Sequence, residues 1–69
     1  MKLRSPIAGC VVRVCVAVGD KVAIDDEIAI VESMKMEIPV VSEHAGTVAE
    51  ILIEEKLQVR EDDVLIVLG

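Results

Sequence analysis

Apolar and polar residues alternate along most of this chain with a period of two. From Cys10 to Val18, one side carries Val12, Val14, Val16 and Val18 while Arg13 lies on the other. From Val48 to Glu55, Ala49, Ile51 and Ile53 share a side, with Glu50 and Glu54 opposite. Such alternation predicts strands with one dry and one wet face. Further strands are expected at Glu27 to Val31 and Ile38 to Val41. Pro39 has no amide hydrogen to give a ladder, so it belongs at a sheet edge or just outside the pairing. Gly19-Asp20, Asp25-Asp26 and Asp62-Asp63 read as turns. No helix is expected, even at Glu54 to Leu57, the one stretch where a turn of helix is conceivable. Between the two middle strands, a tight hairpin near Met34-Lys35 is the simplest connection.

The pattern occurs twice. Shifted by 37 residues, the chain matches itself without a gap: Ala8-Gly9-Cys10-Val11 falls on Ala45-Gly46-Thr47-Val48, Asp25-Asp26 on Asp62-Asp63, and Ile28-Ala29-Ile30-Val31 on Leu65-Ile66-Val67-Leu68. Only six of 24 aligned positions are identical, so the weight rests on the shared order of strand and turn. Two copies of one unit predict an all-β fold, a pseudo-twofold sandwich whose halves close one core. Val14 and Ile51, which are repeat partners, should then meet inside it near the axis. Lys35 has no partner in the repeat, which places its turn at the end away from the chain termini.

Composition narrows the picture. The chain has 69 residues, read as one domain over 1–69. Of these, 54% are hydrophobic and none is aromatic, so the core must be aliphatic and rich in β-branched side chains. The missing aromatics and a net charge of −6 argue against nucleic acid, which needs stacking platforms and cations. No apolar run approaches the roughly 20 residues of a membrane helix. Cys10 and Cys15 are the only cysteines; five apart in a strand, they would point to opposite faces roughly 16 Å apart. They are read as reduced structural thiols of a cytoplasmic protein. His44, the only histidine, lacks partners for metal or acid–base work and is read as a loop residue.

The chemistry concentrates in Glu32-Ser33-Met34-Lys35-Met36-Glu37. With Ser5-Pro6-Ile7-Ala8-Gly9, Val18-Gly19-Asp20-Lys21-Val22 and Ala45-Gly46-Thr47-Val48 around it, this stretch resembles the Met-Lys-Met attachment motif of the biotinyl domains, the biotin carboxyl carrier family. The resemblance runs from about Ser5 to Leu68. It implies a flattened β-barrel or sandwich of two four-stranded antiparallel sheets, with biotin joined covalently to Lys35 by a biotin protein ligase. It also implies that the chain is a carrier without catalysis of its own, monomeric in isolation, serving biotin carboxylase and carboxyltransferase partners. Their compartment would be the cytoplasm, or an organellar matrix for a domain of a larger eukaryotic carboxylase. Met34 and Met36 are soft, adaptable side chains suited to a ligase groove. Glu32 and Glu37 flank the turn as solvated residues open to recognition.

Two rival readings share the fold. A lipoyl carrier uses the same hairpin, though usually with Asp-Lys-Ala, so lipoate is the weaker expectation and dual loading stays open. An unmodified interaction domain would carry an eroded lysine motif. The chain also departs from the family. Ser33 replaces a frequent Ala, and Ser42-Glu43-His44-Ala45-Gly46 lacks a common Pro and Asp. Glu55-Lys56-Leu57-Gln58 replaces a Gly-Asp turn, which predicts a rebuilt loop with Leu57 partly exposed. No insertion between the early strands provides a protruding thumb.

Overall fold

The computed structural model describes residues 1–69 and contains strands and turns only. The strands are β1 (Lys2–Arg4), β2 (Gly9–Val14), β3 (Lys21–Val22), β4 (Glu27–Ser33), β5 (Met36–Val41), β6 (Gly46–Ile51), β7 (Gln58–Val59) and β8 (Val64–Leu68). They form two antiparallel four-stranded sheets, ordered β1-β8-β6-β3 and β5-β4-β2-β7. A shift of 37 residues, forward for β1 and β3 and back for β6 and β8, turns one sheet into the other, down to individual pairings. Lys2↔Val67 repeats as Pro39↔Ile30, and Gly9↔Val59 repeats as Gly46↔Val22. The halves are interlocked, because β1 pairs with β8 while β7 joins β2.

The backbone specials repeat as well. Asp25 (φ 75°) and Asp62 (φ 71°) both take the left-handed conformation that short polar side chains tolerate. The next residue caps each turn: Asp26 Oδ2 accepts from the Ala23 amide at 2.8 Å, and Asp63 Oδ2 from the Arg60 amide at 2.8 Å. Gly19 (φ 96°) is matched by Lys56 (φ 72°). The expectation of a rebuilt loop at 55–58 is therefore corrected: Lys56 adopts the conformation of its glycine twin, held by its amide's 2.7 Å hydrogen bond to Val11 O. Leu57 is partly exposed, as expected.

One pair of repeat partners escaped the sequence reading. Ser5 and Ser42 are buried, and each hydroxyl donates two residues ahead, Ser5 Oγ to Ile7 O at 2.6 Å and Ser42 Oγ to His44 O. Their backbones grip the acidic turn of the other half: Ser5 N donates to Asp63 O at 2.9 Å, and Ser42 N to Asp26 O at 2.8 Å. His44 sits half-buried in the Ser42 loop.

The core is aliphatic: Val11, Val31, Val48, Ile28, Leu65 and Ile66 are sealed, with Leu3, Val22, Val40, Val59 and Leu68 around them. Simple alternation misassigned part of it. Both long strands carry a β-bulge, at Val12 against β4 and at Ala49 against β8. The extra residue reverses the inward face partway along the strand. Val11 and Val48 therefore point inward while Val12 (38% exposed) and Ala49 do not, and only beyond the bulge do Val14, Val16, Ile51 and Ile53 turn toward the core. Val18 is exposed too, since its strand has ended at Val14. Val14 and Ile51 pack at the core's margin, half-buried, rather than at its centre. Matching irregularities at Ile28 and Leu65 let consecutive residues, Ile28-Ala29 and Leu65-Ile66, both face inward.

Candidate functional site

β4 and β5 are joined by two residues, Met34 (φ 53°) and Lys35 (φ 65°), with Ser33 paired to Met36. Positive φ at both central positions is the type I′ geometry, whose twist matches that of the strands it joins. Asn-Gly is the sequence that adopts it most easily; a Met-Lys pair there costs on the order of 1 kcal/mol per residue. The structure thus holds two unfavourable residues at its sharpest turn. Met34 is 92% exposed, Met36 is 66% exposed, and Lys35 is exposed between them. At the base of the turn Glu32 and Glu37 face each other directly across the two strands. Directly opposed like charges repel, so this pair too works against stability. All five residues singled out from the sequence come together in one hairpin.

The hairpin is anchored by β2. Cys10 pairs with Glu32 from the other side, and Gly9 lies one step nearer the tip. A Cβ on Gly9 would collide with the Glu32 carbonyl oxygen and stand 2.8 Å from Val31 Cγ1. The same atom on its repeat partner Gly46 would make only ordinary contacts, with Leu68 Cβ at 3.4 Å, Leu68 Cδ1 at 3.5 Å and Gly69 O at 3.6 Å. Gly9 is therefore required by the close approach of the strand that carries the lysine, a role the sequence reading did not isolate.

The chain ends take the place where the twofold calls for a second hairpin. The Met1 ammonium donates to Leu68 O at 2.8 Å, and β1 and β8 run together to that end. Following the strands, the Lys35 hairpin shares its end with the Ser5–Ala8 loop and the Arg60–Asp63 turn, while the termini share theirs with the related loop and turn. The body is 31 Å long and 19 × 18 Å across. Lys35 thus projects from the end opposite the termini, free of the polypeptide's points of departure.

Comparison with known proteins agrees with this geometry. A family model for biotin/lipoyl attachment, described as a biotin-requiring enzyme, matches residues 1–68. The biotin/lipoyl attachment protein of Bacillus subtilis (strain 168) is 43% identical over 69 residues, covering 100% of this chain and 94% of that protein. A biotinylated protein TB7.3 homolog of Mycobacterium leprae is 33% identical over 67 residues, covering 97% of this chain and 94% of that protein. In the crystal structure of the Kluyveromyces lactis urea carboxylase, a segment superposes on all of this chain with a TM-score of 0.92 and 32% identity, yet it makes up only 6% of that carboxylase chain. Interlocked half-repeats, an exposed lysine hairpin and these matches lead to one conclusion: the chain belongs to the biotin/lipoyl attachment family.

Proposed function

We propose that this chain is a biotin carboxyl carrier with Lys35 as its single attachment site. The observation that carries the reading is the hairpin itself. A chain of this family holds one lysine at a solvent-exposed two-residue turn, between two exposed methionines, at the cost of an unfavourable backbone. The exposed primary amine is the chemistry that amide attachment needs. A biotin protein ligase supplies biotinyl-adenylate, the Lys35 Nζ attacks its carbonyl carbon, adenylate leaves, and the nitrogen gives up a proton. A free lysine amine is protonated at neutral pH, so the ligase cleft must favour the neutral form. Met34 and Met36 fill the cleft adaptably, and the opposed Glu32 and Glu37 offer a local negative charge to it.

Once bound, biotin supplies the site to which a carboxyl group is attached and from which it is transferred. The carrier contributes reach. Lys35 becomes a tether that raises the local concentration of its cargo at a biotin carboxylase and then at a carboxyltransferase. Catalysis belongs to those partners. The free thiols of Cys10 and Cys15 are in keeping with a reducing compartment, which for this reading is the cytoplasm.

The name of the Bacillus relative favours one second reading, a chain that accepts lipoate instead or as well. Intact-mass measurement after incubation with ligase, ATP and biotin tests both. A gain of one biotinyl group, mapped to Lys35, is expected. A chain that gains only a lipoyl group, under a lipoyl ligase, would overturn the biotin reading in favour of the second.

A further inference from the structure

The repeat provides an internal control for every feature at the hairpin end, because the terminus end carries the same backbone with different side chains. One feature differs sharply. Beside the base of the hairpin lies a hollow of about 220 Å³ walled by Cys10, Val11, Val12, Glu32, Glu55 and Lys56. The twofold-related place, with Ala49, Gly69, Val18 and Gly19 at the corresponding positions, holds no cavity; the molecule's other cavity lies between β1 and β5. The backbone bulge that opens the site is common to both halves. Its walls are not.

Lys56 is the most telling wall. At this position the first half has Gly19, which adopts positive φ without strain, whereas the second half keeps a lysine there at φ 72°. The neighbouring exchange is also unfavourable. Asp20, whose Oδ2 accepts from the Ala17 amide at 2.9 Å, is replaced by the partly exposed Leu57. The turn beside Val11 therefore gives up the local chemistry that stabilises its twin and presents a cation at the rim of a small hollow. Backbone strain held at a cavity is a sign of function.

We infer that this hollow is a resting place for the head of the group carried on Lys35. The inference rests on the carrier reading above. Position allows it: Glu32 stands three residues before Lys35, roughly 10 Å back along the strand. A lysine side chain and a five-carbon acyl chain, each roughly 6 Å when extended, reach that far if folded back. Size agrees, because the hollow is smaller than the usual 300–1,000 Å³ of a site for a drug-sized molecule and suits a compact bicyclic head. The walls match its chemistry. Val12 and Cys10 offer an apolar floor to the thioether ring. The Lys56 ammonium is a donor for a ureido carbonyl, and the Glu32 and Glu55 carboxylates are acceptors for ureido N–H groups. A tethered head needs little intrinsic affinity to settle there, since the tether supplies a high effective concentration. Docking shields the ureido nitrogens between visits to partner sites.

The test compares unloaded and biotin-loaded protein by amide NMR, for the natural chain and for Lys56→Gly, which restores the residue of the strain-free twin. Intact mass confirms loading first. Loading is expected to shift the amides of Cys10, Val12 and Lys56 in addition to those of the hairpin, with contacts between thioether-ring protons and the Val12 methyl groups. In loaded Lys56→Gly, most of the shift at Cys10 and Val12 should be lost while the hairpin shifts remain. Changes confined to residues 33–37 in loaded natural protein would overturn the inference and leave the carrier reading intact. A chain that takes up no biotin at all overturns both.

Discussion

Lys35→Arg keeps the positive charge at the tip and leaves every buried contact in place, but a guanidinium is not a usable nucleophile near neutral pH. The variant should fold as the natural chain does and show no biotinyl mass; biotin appearing on Lys21 or Lys56 instead would mean that the site is not programmed by the hairpin. Gly9→Ala tests the residue beneath it. Overpacking against the Glu32 backbone and Val31 should cost about 1–3 kcal/mol in urea unfolding, while Gly46→Ala, its repeat partner, should cost clearly less. Equal losses would mean that ordinary strand propensity, not close approach, sets the need for glycine. Lys35 was legible in the sequence because its neighbours spell a motif. Gly9 and the Ser5–Ser42 pair were not, although the 37-residue spacing of the serines is visible. What each does depends on which strand comes alongside, and that is decided only when the halves interlock.

At the scale of the element, the hairpin trades stability for presentation. Replacing Met34-Lys35 by Asn-Gly should stabilise the chain by on the order of 1–2 kcal/mol, since both new residues accept positive φ, and should abolish loading. Exchanging the two residues, Met34→Lys with Lys35→Met, keeps composition and strain but sends the amine out from the other corner of the turn. Loading measured by intact mass should fall to background; near-normal loading would show that the ligase reads local sequence and tolerates a misdirected amine. Strands and turns were largely legible, because period-two alternation and Asp-Asp or Gly-Asp pairs have direct physical causes. The inward faces were not, wherever a bulge intervened. One added residue at Val12 or Ala49 leaves no trace in composition and reverses the alternation beyond it.

For the whole molecule, stability resides in a thin aliphatic core shared by both halves. Ile66→Ala should cost about 2–5 kcal/mol, because the side chain is sealed between the sheets. Ile51→Ala, at the margin, should cost less, and Glu50→Ala on the wet face about 0.5 kcal/mol or less. Urea melts that ranked these three in another order would contradict the bulged register of β6. The sheet edges are blunted: β3 and β7 have two residues each, β1 is short and carries Lys2 and Arg4, and β5 contains Pro39. Interlocking also governs how the chain comes into being. Most of the lysine-bearing sheet is encoded before residue 42, and β7 completes it by residue 59. The opposite sheet must wait for β8, since the Met1 ammonium and Leu68 O, 67 residues apart, close its outer seam. At about 5–20 residues per second, a ribosome leaves β1 without its neighbour for several seconds. The hairpin's own neighbours β2, β4, β5 and β7 are thus all made before the strand that closes the opposite face.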